Sequence, residues 1–466
     1  MKETPLNTKK LIQKALKDEN LRSAVNKATV STVDSRKAII DQIPCWEDLR
    51  EKAYSIKKET IENLDSYLLQ FERNCWKNDI KVHWALDAAE ARQIILNIAE
   101  KTNSTKIVKS KSLTTEEIAL NNFLTDKNIE VLETDLGEYI VQLNRQIPSH
   151  LIIPAMHLSR KDIGKLFEEK LGCQYTEEPV ELLNIARKFL REKFLKADIG
   201  ITGANFAFAS NGSFCVVENE ANAHLTLSMP RIHIALIGIE KIIPDVKQLP
   251  CFLKLLPPSA TGQKSSTYVN FIGGPSRKKY GEGPEEVHVI LLDNGRSKIL
   301  SDPQLRETLF CIRCGACLNI CPVYRQIGGH AYGWVYMGPI GSTLIPQYLG
   351  TSEGRYSPFL SSLCCACAEV CPVKIDLPKH LLTLRNKVVE SGKNKFSEKI
   401  IFKIYSRLLV KPSLYRILTK LPSSLQKLIP GGRPFPVPGY TGKREFAKFD
   451  PKGFRNKFND MKNQNT

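Results

Sequence analysis

No apolar run in this chain approaches the roughly eighteen residues a membrane-spanning helix needs. Hydrophobic residues nevertheless make up 42% of its 466 positions, an ordinary share for a globular protein. A transmembrane span is therefore not expected. The opening stretch MKETPLNTKKLIQKALKDEN lacks the apolar core of a signal peptide, so the expected location is cytoplasmic. In the part with α/β texture neither G-x-G-x-x-G nor G-x-x-x-x-G-K-[ST] occurs, and nothing there supports a dinucleotide or nucleoside triphosphate site. No nucleic-acid recognition motif accompanies the basic residues either. Their excess is local: of a net charge of +18, most falls between Lys374 and Lys462, where 21 Lys and Arg face 6 Asp and Glu. A solvated face is the ordinary explanation, with peripheral contact to an anionic membrane surface or an acidic partner as alternatives.

What the chain does have is cysteine. Eight of its 13 Cys fall between positions 311 and 371. Cys311, Cys314, Cys317 and Cys321 follow C-x2-C-x2-C-x3-C-P, the spacing of iron–sulfur ligation in which the fourth Cys serves the other cluster of a pair. Three thiolates two residues apart let one turn of backbone wrap a compact cluster, while the Cys before Pro322 is carried toward a second site. A second run follows at Cys364, Cys367 and Cys371. The expected crossing places one cluster on Cys311, Cys314, Cys317 and Cys371, and the other on Cys321, Cys364 and Cys367. Register puts the eighth ligand at Ser361. The remaining ligand could be Ser361 itself, the adjacent Cys365, an external group, or none. A tetrahedral zinc site would leave surplus thiols, and disulfides are a weaker rival still for clustered Cys without an export signal.

Length suggests two or three domains. Residues 1–78 read as amphipathic helices, with Leu64, Tyr67, Leu68 and Phe71 on one face. Residues 79–298 alternate helices with short apolar runs at IEVLE, HLIIPA, ADIGITGA, SFCVVEN, RIHIALIG and EVHVILLD, which implies an α/β domain with a largely parallel sheet. Asp87 and Glu90 should cap a helix running to Lys101, and Thr114 with Glu117 should form a capping box for the next. Residues 299–385 hold the Cys module, and 386–466 form a basic helical extension and tail.

Three places in the α/β part could carry chemistry. Lys109-Ser110-Lys111-Ser112 could hold an anion. Glu218-Asn219-Glu220, with Asn222 and His224, follows a strand directly. Gly273-Gly274-Pro275-Ser276-Arg277 follows the strand TYVNFI. For each, a turn or cap with solvated charges is the structural alternative, and His157, His224, His233 and His288 read as satisfied core or edge residues. Between the Cys runs, GGHAYGWVYMGPIGS concentrates Gly with His330, Tyr332, Trp334 and Tyr336, residues suited to packing against clusters or to docking an electron partner.

The segments KIVKSKSLTTEEIALN, ADIGITGANFAFASNGSFCVVENEAN, GPEEVHVILLDNGRS, YGWVYMGPIGS and SSLCCACAEVCPVKI, with the first Cys run, resemble the lactate utilisation protein B family. The resemblance implies an α/β lactate-utilisation (LUD) domain, similar in fold to sugar-phosphate isomerases and CoA transferases, beside a small helical, ferredoxin-like module with two [4Fe-4S] clusters. It also implies the crossed ligand set given above, with the absent ligand at Ser361 shared by the family. The implied role is electron transfer in L-lactate oxidation to pyruvate beside lactate utilisation proteins A and C, with the acceptor unknown. No flavin or nicotinamide site is legible, so the chain is not expected to oxidise lactate alone. The competing expectations are a CoA- or sugar-phosphate-handling enzyme using Glu218 or Glu220 as a carboxylate nucleophile, and a cluster-bearing redox sensor.

Overall fold

The computed structural model describes residues 7–276, 283–392, 396–415, 417, 425 and 453–464. The chain forms two compact units, Met1–Glu390 and Ser391–Thr466. In the second unit the described helices are Phe396–Val410 and Gly453–Gln464. Arg277 and the Pro- and Gly-rich GGRPFPVPGY lie outside the described residues. Among the described residues no helix is long and apolar enough to cross a membrane.

The first unit is built on two sheets. Among the described residues its strands are β1 (Lys81–Ala85), β2 (Lys106–Lys109), β3 (Glu130–Glu133), β4 (Ile199–Thr202), β5 (Phe206–Phe208), β6 (Phe214–Glu218), β7 (Ile232–Gly238), β8 (Ile242–Ile243), β9 (Tyr268–Ile272) and β10 (Glu286–Leu292). Six of them form a sheet in the order β1-β10-β7-β4-β2-β3, parallel throughout. Every residue of β7 is buried, as is nearly all of β10. Strands covered on both faces need continuous rather than alternating apolar sequence, which IHIALIG and VHVILL supply. The second sheet, β8-β5-β6-β9, is mostly antiparallel.

Helices cover the parallel sheet as the chain crosses between strands. Asp87 accepts N–H bonds from Ala89 and Glu90, starting the helix Ala88–Lys101 where the sequence predicts it. The helix Asn222–Ser228 presses so closely on β4 that a Cβ at Gly200 would lie 1.8 Å from the carbonyl oxygen of Thr226. The N-terminal helices Thr8–Lys17, Glu19–Ile40, Trp46–Glu62 and Leu64–Lys77 match the helical preface expected from sequence. They do not form a separate layer. Val25, Ala53 and Phe71 share one core with the second sheet and with the Cys module, including Cys314, Cys321 and Tyr332.

Two local expectations are corrected. HLIIPA is not a strand, because the ring of His150 accepts the N–H groups of Ile152 and Ile153 at 3.0 and 3.1 Å and closes a turn before Pro154. Thr114 and Glu117 do not form a capping box. Ser112 caps the short helix Leu113–Glu117, and Glu117 is drawn into a buried ion pair with Arg296.

Candidate functional site

The helix Ala316–Ile320 begins at Gly315, whose φ of +76° favours glycine and leaves it against the ring of His150. This turn gathers Cys311, Cys314 and Cys317, with Cys371 from the second run, around a small apolar hollow closed by Leu151, Ile340, Val373 and Ile375. Cys321, the N-cap of the helix Pro322–Ile327, does not line that hollow, and its electrostatic neighbour among the thiols is Cys364. Cys367 interacts with both Cys321 and Cys364. Cys311, Cys314, Cys317 and Cys371 thus share one hollow, while Cys321, Cys364 and Cys367 are neighbours of one another, Cys367 being a neighbour of Cys317 as well.

The chemistry of these positions suits iron–sulfur ligation. Burial pushes the thiols of Cys314 and Cys367 up to about 12 and that of Cys371 up to about 11. A thiolate there requires a bound cation to offset its desolvation. Backbone N–H groups already point at sulfur: Arg313 at Cys311 (3.4 Å), Tyr324 at Cys321 (3.5 Å) and Ile375 at Cys371 (3.4 Å). Arg36 and Arg50, from two N-terminal helices, stand near the first group and add positive charge. They also hold the second run in place, Arg50 donating to the carbonyl of Cys371 at 3.0 Å and Arg36 to that of Val370 at 3.1 Å.

Around the group of three, Cys321 and Cys367 are buried while Cys364 is exposed. The hydroxyl of Ser361 accepts the N–H of Leu363 at 3.1 Å, and Arg385 holds the Ser361 carbonyl at 2.9 Å. Cys365 is exposed in a left-handed conformation, its thiol donating to the carbonyl of Leu363. The segment between the runs is interior: Tyr332, Tyr336 and Met337 are buried, and Tyr336 donates to Glu117 at 2.7 Å.

A second hollow, with about 260 Å³ of accessible space, opens at the carboxyl ends of β2, β4 and β6. Such ends are where ligands sit in parallel sheets. It joins two of the three places singled out in the sequence. Ser110, Lys111 and Ser112 line it, as do Glu218, Asn219, Glu220 and Asn222. Lys109 does not, because it is buried in ion pairs with Glu133 and Glu116 at 2.6 and 3.1 Å. Glu218 accepts N–H bonds from Ala223, His224 and the Asn270 amide, which makes it a brace for the next helix. Glu220 is exposed; partial desolvation and the neighbouring Asp135 raise its carboxyl above the usual range. The third place is a turn beyond β9, where Gly274 packs on the carbonyl of Asn78.

The histidines have partners: His157 with Ser149, His224 with Asn270, His233 with Thr202, and His288 with His83 and Glu286. Sequence reasoning passed over Lys241 and Arg313, which line the second hollow. Arg313 stood in view inside CIRC but counted there only as a spacer.

A model described as LUD domain matches residues 68–292, and one described as 4Fe-4S dicluster domain matches 307–375. Lactate utilization protein B of Bacillus cereus (strain AH820) is 42% identical over 453 residues, covering 96% of this chain and 95% of its own. This chain belongs to the lactate utilization protein B family. The proteins of that name from Bacillus thuringiensis (strain Al Hakam) and Bacillus anthracis (strain A0248) match to the same extent. A solved structure of a DUF162 family protein from Deinococcus radiodurans aligns with 49% of this chain and 98% of its own length, at 14% identity and a TM-score of 0.28. For the family, a LUD domain joined to an iron–sulfur domain is the architecture described above, an α/β sheet packed against a helical Cys module.

Proposed function

We infer that this chain is an electron-transfer subunit in the oxidation of L-lactate to pyruvate, working beside lactate utilisation proteins A and C. The observation that supports the reading is that the fold brings the two Cys runs together: Cys371 joins Cys311, Cys314 and Cys317 around one hollow, and Cys321 is a neighbour of Cys364 and Cys367. Cys311, Cys314, Cys317 and Cys371 would hold one [4Fe-4S] cluster, and Cys321, Cys364 and Cys367 the other. When bound, two clusters supply one-electron carriers able to pass the two electrons of a hydroxy acid singly to an acceptor. The surrounding residues do the rest. Leu151, Ile340 and Val373 exclude water from the first group, backbone N–H groups stabilise its sulfurs, and Arg36 and Arg50 offset negative charge. The second group reaches the surface at Cys364, the side open to an electron partner.

Iron and acid-labile sulfide per chain, with electron paramagnetic resonance before and after dithionite, test the reading on anaerobically purified protein. About eight irons and two interacting reduced signals are expected. About seven irons with a signal in the oxidised state would mean that the second group stops at three thiolates. Zinc in place of iron, or normal growth on lactate of a Cys314→Ser strain, would overturn the proposal.

A further inference from the structure

The second hollow contains cationic and polar groups with too few partners. Ser110 is 2% exposed and its hydroxyl has no hydrogen-bond partner. Arg313 is 8% exposed; both terminal guanidinium nitrogens lack hydrogen bonds, and the nearest carboxylate oxygen, on Glu240, is 3.7 Å from one of them. Lys241 is half-buried, and its ammonium makes no hydrogen bond or ion pair among the described residues. Buried polar groups are normally satisfied, and an unpaired buried cation is costlier than an unpaired hydroxyl. Two such groups, Ser110 at the end of β2 and Arg313 in the first Cys run, line the same hollow, and the half-buried Lys241 before β8 joins them.

The carboxylates nearby do not fill the role. Glu218 is occupied by three N–H donors, Asp135 caps the helix Leu136–Leu143, and Glu220 is exposed. The volume is just below the roughly 300–1,000 Å³ of sites for drug-sized ligands, which fits a small metabolite and is too small to bury a coenzyme. We propose that this hollow binds a small organic oxyanion, a carboxylate or a phosphate, through Ser110, Lys241 and Arg313.

The site also has a connection to the first thiol group. Arg313 lies between Cys311 and Cys314 and donates its backbone N–H to the sulfur of Cys311, and Leu151 lines both hollows. An anion against the guanidinium adds negative charge beside that group. It disfavours the reduced form of a cluster held there, and reduction in turn weakens anion binding by the same factor. This second half rests on the electron-transfer reading; the binding site does not.

Calorimetric titration of the full, anaerobically purified chain tests the site. L-lactate and pyruvate form the carboxylate arm, inorganic phosphate and ribose 5-phosphate the phosphate arm. Saturable one-to-one binding in either arm is expected, weakened about tenfold or more in Lys241→Met and in Ser110→Ala, as befits loss of a charge-assisted or buried hydrogen bond. Circular dichroism and iron content matching the parent chain show that each variant is folded. Binding in neither arm, or binding indifferent to both substitutions, overturns the proposal. With ligand saturating, the potential of the first signal should fall in the parent chain and stay unchanged in Lys241→Met. Iron-loaded, reducible protein that binds neither class would sink the anion site and leave the electron-transfer reading standing. A chain without iron that still binds would do the reverse.

Discussion

His150 shows how one side chain can fix a wall of the thiol site. Its Nδ1 accepts two backbone N–H groups, so the ring proton must sit on Nε2, which donates to Asn319 at 3.0 Å. Burial holds its pKa down at about 3 and keeps the ring neutral. Replacing it with Ala strands both N–H groups and Asn319, and should cost about 2–3 kcal/mol, seen as a lower unfolding midpoint together with less iron per chain. Arg296 makes the same point in charge. It is fully buried between Glu117 (2.9 Å) and Glu240 (2.5 Å). Its removal as Arg296→Met takes the close cation from two buried carboxylates, leaving Glu117 with Tyr336 and Asn294 and Glu240 with Arg313 at 3.7 Å, with an expected loss of about 3–5 kcal/mol in denaturant unfolding. A variant within 1 kcal/mol of the parent would show that water reaches the network. Neither residue could be chosen from the sequence. The partners of Arg296 lie 56 and 179 positions away, and His150 sits in a stretch whose apolar residues read as a strand.

At the scale of elements, legibility followed local chemistry. The runs IGIT, IHIALIG and EVHVILL announced β4, β7 and β10 because strands buried on both faces must be continuously apolar, and Asp87 announced its helix by the capping bond it makes. The short strands β5 and β8, of three and two residues, carried too little pattern to be seen. The N-terminal helices were legible as helices but not as parts of the Cys module, since the bonds that attach them cross more than 300 positions. Arg50 spans 321 residues to reach Cys371, and Arg36 spans 334 to reach Val370. These bonds make the N-terminal helices a clamp on the second Cys run. Arg50→Ala should therefore reduce iron and sulfide per chain while leaving the secondary structure intact by circular dichroism. Unchanged iron content, with cluster loss on air exposure no faster than in the parent chain, would mean that the run is held by its own turns.

For the whole molecule, buried histidines and buried carboxylates set opposing responses to acid. Burial lowers His150 and His233 to about 3, and His157 and His288 to about 4, from an ordinary 6.5. The unfolded chain binds protons at these sites that the folded chain refuses, so stability is fully present above about pH 6.5 and is lost as pH falls toward 3. Glu133, raised to about 7 by burial, works the other way between 7 and 4.5, where the folded chain holds the proton that the unfolded chain gives up. That gain is complete by pH 4.5. Below it the histidine losses continue, and Glu240, despite burial held down at about 2 by Arg296 and its other cationic neighbours, begins to lose its contribution as well. Four histidine protons outweigh the one that Glu133 holds, so the unfolding midpoint should fall already from about pH 6.5 and keep falling below 4.5. Cluster thiolates also take up protons in acid, so the histidine share is isolated by comparing the parent with His233→Gln, whose amide can keep the contact made to Thr202 at 2.9 Å. The variant should show a shallower fall between pH 6 and 3, by up to about one proton; identical slopes in the two proteins would mean that His233 does not remain neutral in the folded core.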